Sequence, residues 1–178
     1  FEDGTSAAAQ CVPLAPGGTD GNRWVELSFL ATRSGLARVT LGGSAGAPSA
    51  GLARQTGGDV VLDNGVVRVA LNASPEKPPI EVALRTKPFG VLVPEAVLED
   101  DRPHRPLPDE RRTATILRNG PFRAQAEVTG RLGDAAGRPS LSYRLTVEVW
   151  TGRPAFRVDW MLMHLLTGRR VLAVRRAT

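Results

Sequence analysis

The side chains best suited to chemistry lie in three alternating segments: Arg123 and Glu127, then Arg144, Glu148 and Trp150, then Arg157 and Asp159. The segments are "FRAQAEVTGRL", "SLSYRLTVEVW" and "AFRVDWMLMHL"; in the first two, and in the third as far as Trp160, the apolar residues take one parity and the polar residues the other. A period of two marks β-strands with one dry and one wet face. Rows of guanidinium and carboxylate groups on a wet face can do one of two things. They can pair across strands as a ladder, at about 0.2–1 kcal/mol per pair. Alternatively, they can form a groove that grips sugar hydroxyls and uronate carboxylates, where arginine binds through two parallel hydrogen bonds. Trp150 is then the aromatic platform at the groove edge.

The turns set which residues face each other. With Gly152 and Arg153 at the tip of a tight hairpin, Trp150 faces Ala155 and Glu148 faces Arg157. With the preceding loop at 133–138, Glu127 faces Arg144 and Arg123 faces Glu148. A slip of one residue would invert every face, whereas a slip of two would leave the faces unchanged. The opposite side carries Phe122, Val128, Leu141, Tyr143, Leu145, Val147, Val149, Phe156, Val158, Trp160 and Leu162. A sheet this apolar on one side must pack on a second sheet.

Other reactive residue types form no set. His104 sits in the Pro-rich stretch "DDRPHRPLPDE" (100–110), read as an exposed loop because its prolines remove ladder donors. His164 falls on the dry side near a strand end. Two such distant histidines do not make a metal site, and Cys11 is the only cysteine, so neither a disulfide nor a thiolate site can form within the chain. Glu99, Asp100 and Asp101 are oxygen ligands of the kind calcium takes, but charge runs in loops are ordinarily solvated. No Gly-rich phosphate loop precedes a helix. No catalytic residue, metal ligand or cofactor is assigned.

The 178 residues suffice for one ordinary domain or two small ones, and 42% hydrophobic with 23% charged residues allows a core without covalent staples. Aromatics are only 5%, so the core must come from Val, Leu and Ala. A net charge of +5 invites a nucleic-acid reading. Against it, the arginines are scattered, with one cluster at Arg169, Arg170, Arg175 and Arg176, and only Lys77 and Lys87 are lysines. The longest apolar run, "WMLMHLL", is far short of the roughly 20 residues of a membrane span. The chain begins at Phe1, read as a processed product or an excised piece, and nothing at its N-terminus resembles an intact signal peptide, which fits one already removed.

Residues 1–22 read as an irregular lead-in. "RWVELSFLA" (23–31) reads as a strand paired with "LARVTLGG" (36–43), and "GGSAGAPSAG" (42–51) as a linker. "VVLDNGVVRVAL" contains Asn64-Gly65, a two-residue hairpin signal. "NASPEKPP" is a turn, "IEVALR" and "FGVLVPEAVLE" are strands separated by Thr86-Lys87-Pro88, and an antiparallel meander runs from "RRTATILR" through the three charged segments to "RRVLAVRRA". No segment has a helical period. The fold expected is all-β: a partial small β-barrel with its linker over 1–56, then an antiparallel β-sandwich with a long C-terminal meander over 57–178.

"VVLDNGVVRVAL" followed by "ILRNGPFRAQAEVTGRLGDAAGRPSLSYRLTVEVWTGRPAFRVDW" resembles the β-sandwich of the exo-rhamnogalacturonan lyase-like family. The matching residues are Asp63, Gly65, Val66, Gly120, Pro121, Arg123, Ala124, Gly130, Tyr143, Gly152, Pro154, Arg157 and Val158. "RWVELSFLATRSGLARVTL" is similar to the end of that family's N-terminal small barrel. The resemblance implies a carbohydrate-active, extracellular or periplasmic protein in which an α/α-toroid follows the sandwich, and this chain stops where the toroid would approach. Lytic β-elimination needs a base beside the uronate carboxylate and a cation to hold the charge that develops. His104, Tyr143 and His164 are the only His and Tyr residues present, and no family catalytic motif falls on them. The expected function is a non-catalytic module that binds or frames a pectin-like polysaccharide, its partner being that polysaccharide or the missing C-terminal domain. The alternative is a structural protein whose copies assemble through β edges and the N-terminal arm.

Overall fold

The computed structural model describes residues 9–16, 23–29, 51–98, 102–108, 112–164 and 176–177, and every element among them is a β-strand. Three antiparallel sheets result. The first is a meander of β3 (Ala53–Thr56), β4 (Asp59–Asp63), β5 (Val67–Leu71), β6 (Ile80–Leu84) and β7 (Lys87–Leu92). The second contains β8 (Ala96–Val97), β9 (Pro103–Pro106), β10 (Thr113–Arg118), β11 (Arg123–Gly133), β12 (Pro139–Trp150), β13 (Phe156–His164) and β14 (Arg176–Ala177), in the order β13-β12-β11-β9-β8-β14 with β10 also beside β11. The third is the hairpin of β1 (Ala9–Pro16) and β2 (Arg23–Phe29).

The first two sheets form the sandwich. Val60, Leu62, Val67, Val69, Leu71 and Ile80 from one meet Ala124, Ala126, Val128, Leu132, Tyr143, Val147 and Val149 from the other in a single buried cluster. Each buried Val or Leu contributes about 1.5–3 kcal/mol. Two asparagines join the sheets at one end. The Asn119 side chain accepts from Ala53 N–H and donates to Ala53 C=O, both at 2.9 Å, so it extends β3 by one amide. Asn64 links the β4–β5 turn to the loop after β12, donating to the Trp150 carbonyl at 2.7 Å and the Arg153 carbonyl at 2.8 Å.

The all-β expectation holds, as do the dry-face assignments on β11 and β12, where Val128, Leu141, Tyr143, Leu145, Val147 and Val149 are buried. Several local expectations are corrected. β2 pairs with β1, which lies inside the stretch read as irregular. Prolines obscure the strand signal there, and the ladder shifts register between Pro13 and Pro16. Residues 36–43 and most of the expected linker lie outside the described residues. The boundary at 56/57 falls at the tip of the β3–β4 hairpin, since Thr56 pairs with Asp59.

The β4–β5 loop residues are Gly65 and Val66, one position later than the Asn-Gly signal, and Gly65 takes a φ of 83° that only glycine adopts readily. The next turn is centred on Arg85 and Thr86, and "FGVLVPEAVLE" breaks into β7 and β8. The Pro-rich 100–110 stretch contains β9, which bridges β8 and β11 with its two prolines at its ends, where a missing donor is tolerated. β14 pairs with β8 and does not continue the meander beyond β13.

The β12–β13 register matches, with Glu148 opposite Arg157. The β11–β12 register is displaced by two: Arg123 faces Trp150, and Glu127 faces Thr146. The 134–138 loop closes through Asp134, which accepts from the Ala136 and Arg138 N–H groups and leaves Gly133 opposite Pro139; a register shift between Leu132 and Gly133 supplies the second residue of the displacement.

Candidate functional site

The polar face of β11 meets the chain's own N-terminal hairpin. Gln10 of β1 lies over the start of β11. Its Oε1 accepts from Phe122 N–H (3.3 Å) and Arg123 N–H (3.2 Å), and its Nε2 donates to Arg123 C=O (3.3 Å). The approach is so close that a Cβ on Gly120 would lie 2.1 Å from the Gln10 amide carbon, so a larger residue there would displace the Gln10 side chain. From β2, Glu26 accepts from Arg118 at 2.6 Å and also pairs with Arg123, which in turn pairs with Glu148. Four strands are thus tied by one alternating row: Arg118, Glu26, Arg123, Glu148.

Charge balance explains this row. The Glu148 side chain is only 4% exposed, and a buried carboxylate is tolerated only beside a cation that also hydrogen-bonds it. Burial pushes the Glu26 carboxyl up, but the Arg118 hydrogen bond and the charges of Arg123 and Arg118 hold it below its ordinary 4.5. Glu26 is thus paired with Arg118 and Arg123, and Glu148 with Arg123.

Beside this row opens a cleft of about 480 Å³. One wall is Leu27, Ser28 and Phe29 of β2. The other is formed where β11 begins and β12 ends, by Phe122, Arg123, Trp150, Thr151, Arg153 and Ala155. Phe29 is 46% exposed. Arg153, whose backbone carbonyl accepts from Asn64, is exposed to solvent. Three aromatic residues, two arginines and two hydroxyl-bearing residues line this cleft, a set suited to flat, hydroxylated or anionic molecules held by stacking and hydrogen bonding.

Of the residues expected to form a site, Arg123 and Trp150 come together in this cleft. Glu127 and Arg144 pair with each other at 3.4 Å farther along the sheet, diagonally and not directly across. Glu148 lies beneath Arg123. Arg157 and Asp159 hydrogen-bond to each other on the exposed face of β13, with Arg157 Nε and Nη2 donating to Asp159 Oδ1 at 3.0 and 2.9 Å. Phe29, Phe122, Ser28, Thr151 and Arg153 were missed. Their only signal is proximity to turns, which says nothing about what lies across from them.

His104, expected to be exposed, is 5% exposed, and its Nδ1 lies 2.7 Å from the buried Ser140 hydroxyl, which also donates to Leu132 C=O at 3.2 Å. Neither residue lines the cleft, so this Ser–His pair ties β9 to β11 and β12. Among the described residues no group of three or more His, Cys, Asp or Glu side chains gathers as a metal site, and no helix is long and apolar enough to cross a membrane. Glu99, Asp100 and Asp101, and the His164 side chain, lie outside the described residues. Comparison with protein-family models, curated proteins and solved structures returned no match.

Proposed function

We propose that this chain is a non-catalytic β-sandwich module that binds an acidic polysaccharide of the pectin (rhamnogalacturonan) type, in an extracellular or periplasmic setting. The observation that carries this reading is the gathering of Trp150, Phe29 and Phe122 with Arg153 in one cleft. Stacking of a sugar ring on an indole supplies affinity, and a guanidinium at the rim selects a carboxylate-bearing unit. The charged rows farther along β11 and β12 serve as an ion-pair ladder, and the N-terminal hairpin supplies one wall of the cleft.

Calorimetric titration of the chain with polygalacturonate and rhamnogalacturonan oligomers tests this. Trp150→Ala and Arg153→Ala should each weaken binding by about tenfold or more, equivalent to about 1.4 kcal/mol. Glu127→Ala, remote from the cleft, should leave binding unchanged. Equal affinity of the Trp150→Ala variant and the parent chain would remove the cleft from the argument. A second reading, assembly of copies through β edges, is favoured by the outer edge of β13, which pairs with no strand among the described residues.

A further inference from the structure

We infer that the outer edge of β13 pairs with β13 of a second copy of this chain, antiparallel about a twofold axis at Val158. The inference rests on the assembly reading and is independent of the sugar cleft.

The hydrogen-bond direction along β13 follows from the neighbouring ladder. Thr151 N–H donates to Phe122 C=O at 3.0 Å, so odd-numbered residues of β12 direct their amides toward β11. Even-numbered residues of β12 therefore bond to β13, through Arg157, Asp159, Met161 and Met163. Phe156, Val158, Trp160 and Leu162 are left directing N–H and C=O outward. Among the described residues no strand pairs with this edge.

Apart from the charges of Arg157 and Asp159, β13 lacks the features that protect exposed edges. It runs nine residues with no proline or lysine, and its pairing with β12 carries no bulge. β7, one of the two edge strands of the other sheet, has all three: Lys87, Pro88 and a register shift opposite Val82/Ala83. Met161 and Met163 of this strand are 51% and 37% exposed.

The charges identify the occupant. Arg157 and Asp159 are two residues apart on the exposed face, one cation and one anion. An antiparallel copy centred on Val158 sets Arg157 opposite the copy's Asp159, and the reverse, in the closer, non-hydrogen-bonded type of pair. Phe156 then exchanges hydrogen bonds with the copy's Trp160, and Val158 with its own counterpart. An isologous contact must be self-complementary, and this charge pattern is. A register centred on Trp160 would instead set Arg157 opposite a methionine.

Sedimentation of the full chain over a concentration series tests the pairing. The expected result is a dimer that dissociates on dilution. Arg157→Asp or Asp159→Arg alone should make the chain monomeric, because like charges then oppose, and the double variant R157D/D159R should restore the dimer. A parent chain that stays monomeric at high concentration overturns the proposal, as does a dimer indifferent to the single reversals. Slow hydrogen exchange at Val158 and Trp160 in a monomer would show that another segment of the same chain covers the edge, which also overturns it. Trp150→Ala should not change sedimentation, so failure of the sugar reading and failure of this one are separable.

Discussion

Asn64 Nδ2 lies 2.7 Å from the Trp150 carbonyl oxygen, so the β4–β5 turn of one sheet holds the backbone of the cleft in the other. The same side chain donates to Arg153 C=O and accepts from the Val66 and Val67 N–H groups at 2.9 and 2.7 Å. All its hydrogen-bonding capacity is used, and the residue is only 8% exposed. Asn64→Ala should destabilise the fold by about 3 kcal/mol, since several partners lose their bonds at once. Asn64→Asp should do nearly as much harm, because a carboxylate would face two carbonyls. Urea unfolding of the two variants checks this, and a midpoint unchanged by Asn64→Ala would contradict it.

Asn119 does the corresponding work at Ala53. Asn119→Ala should cost about 2 kcal/mol, because it leaves both the N–H and the C=O of a 4%-exposed residue without their side-chain partner. Proteolysis under native conditions should then cut first around residues 51–56. Cleavage elsewhere would mean that Asn119 does not hold β3.

Gly130 sits directly opposite Tyr143, whose ring fills the space a side chain would take. A Cβ at Gly130 would come within 2.7 Å of Tyr143 Oη and 2.8 Å of Cζ, and the fully buried ring has nowhere to swing. Gly130→Ala is expected to destabilise by about 1–3 kcal/mol through overpacking. Thermal unfolding followed by circular dichroism measures the loss, and a gain in stability would show that the two strands separate at low cost.

Acid should loosen the N-terminal hairpin. The Glu26 carboxyl is held below its ordinary 4.5, so its stabilising contribution is complete above pH 4.5 and is lost as the pH falls through the lowered folded value. Asp59 behaves alike: burial raises its carboxyl, while hydrogen bonds from Lys77 and Ala73 N–H bring it below its ordinary 3.8. Stability plotted against pH should therefore fall on the acid side. Glu26→Gln should lower the plateau at neutral pH and flatten the limb below about 4.5. Parallel curves for parent and variant would show that Glu26 carries none of the acid sensitivity.

What the sequence determined by itself is local in origin. The positions of the long strands β11, β12 and β13, and the division of β11 and β12 into dry and wet residues, follow from a period of two, which each segment carries alone. That is why Tyr143, Val147 and Val149 were assigned to the core before any partner was known. Register beyond parity was not legible, because sliding β11 by two residues along β12 buries the same side chains. Arg123 still finds Glu148 and Glu127 still finds Arg144, each along a diagonal that long side chains can span. His104 was misplaced because prolines at both ends of a four-residue strand look like a loop until β8 and β11 flank it.

Only the tertiary structure decided what the charged face meets. Gln10 bonds Phe122 and Arg123, and Glu26 bonds Arg118 and Arg123, across about a hundred residues of chain. A composition of Arg, Glu and Gln in alternation describes a wet face, an ion-pair row and a buried interface equally well. The choice among them depends on which distant segment arrives, and no local periodicity encodes that.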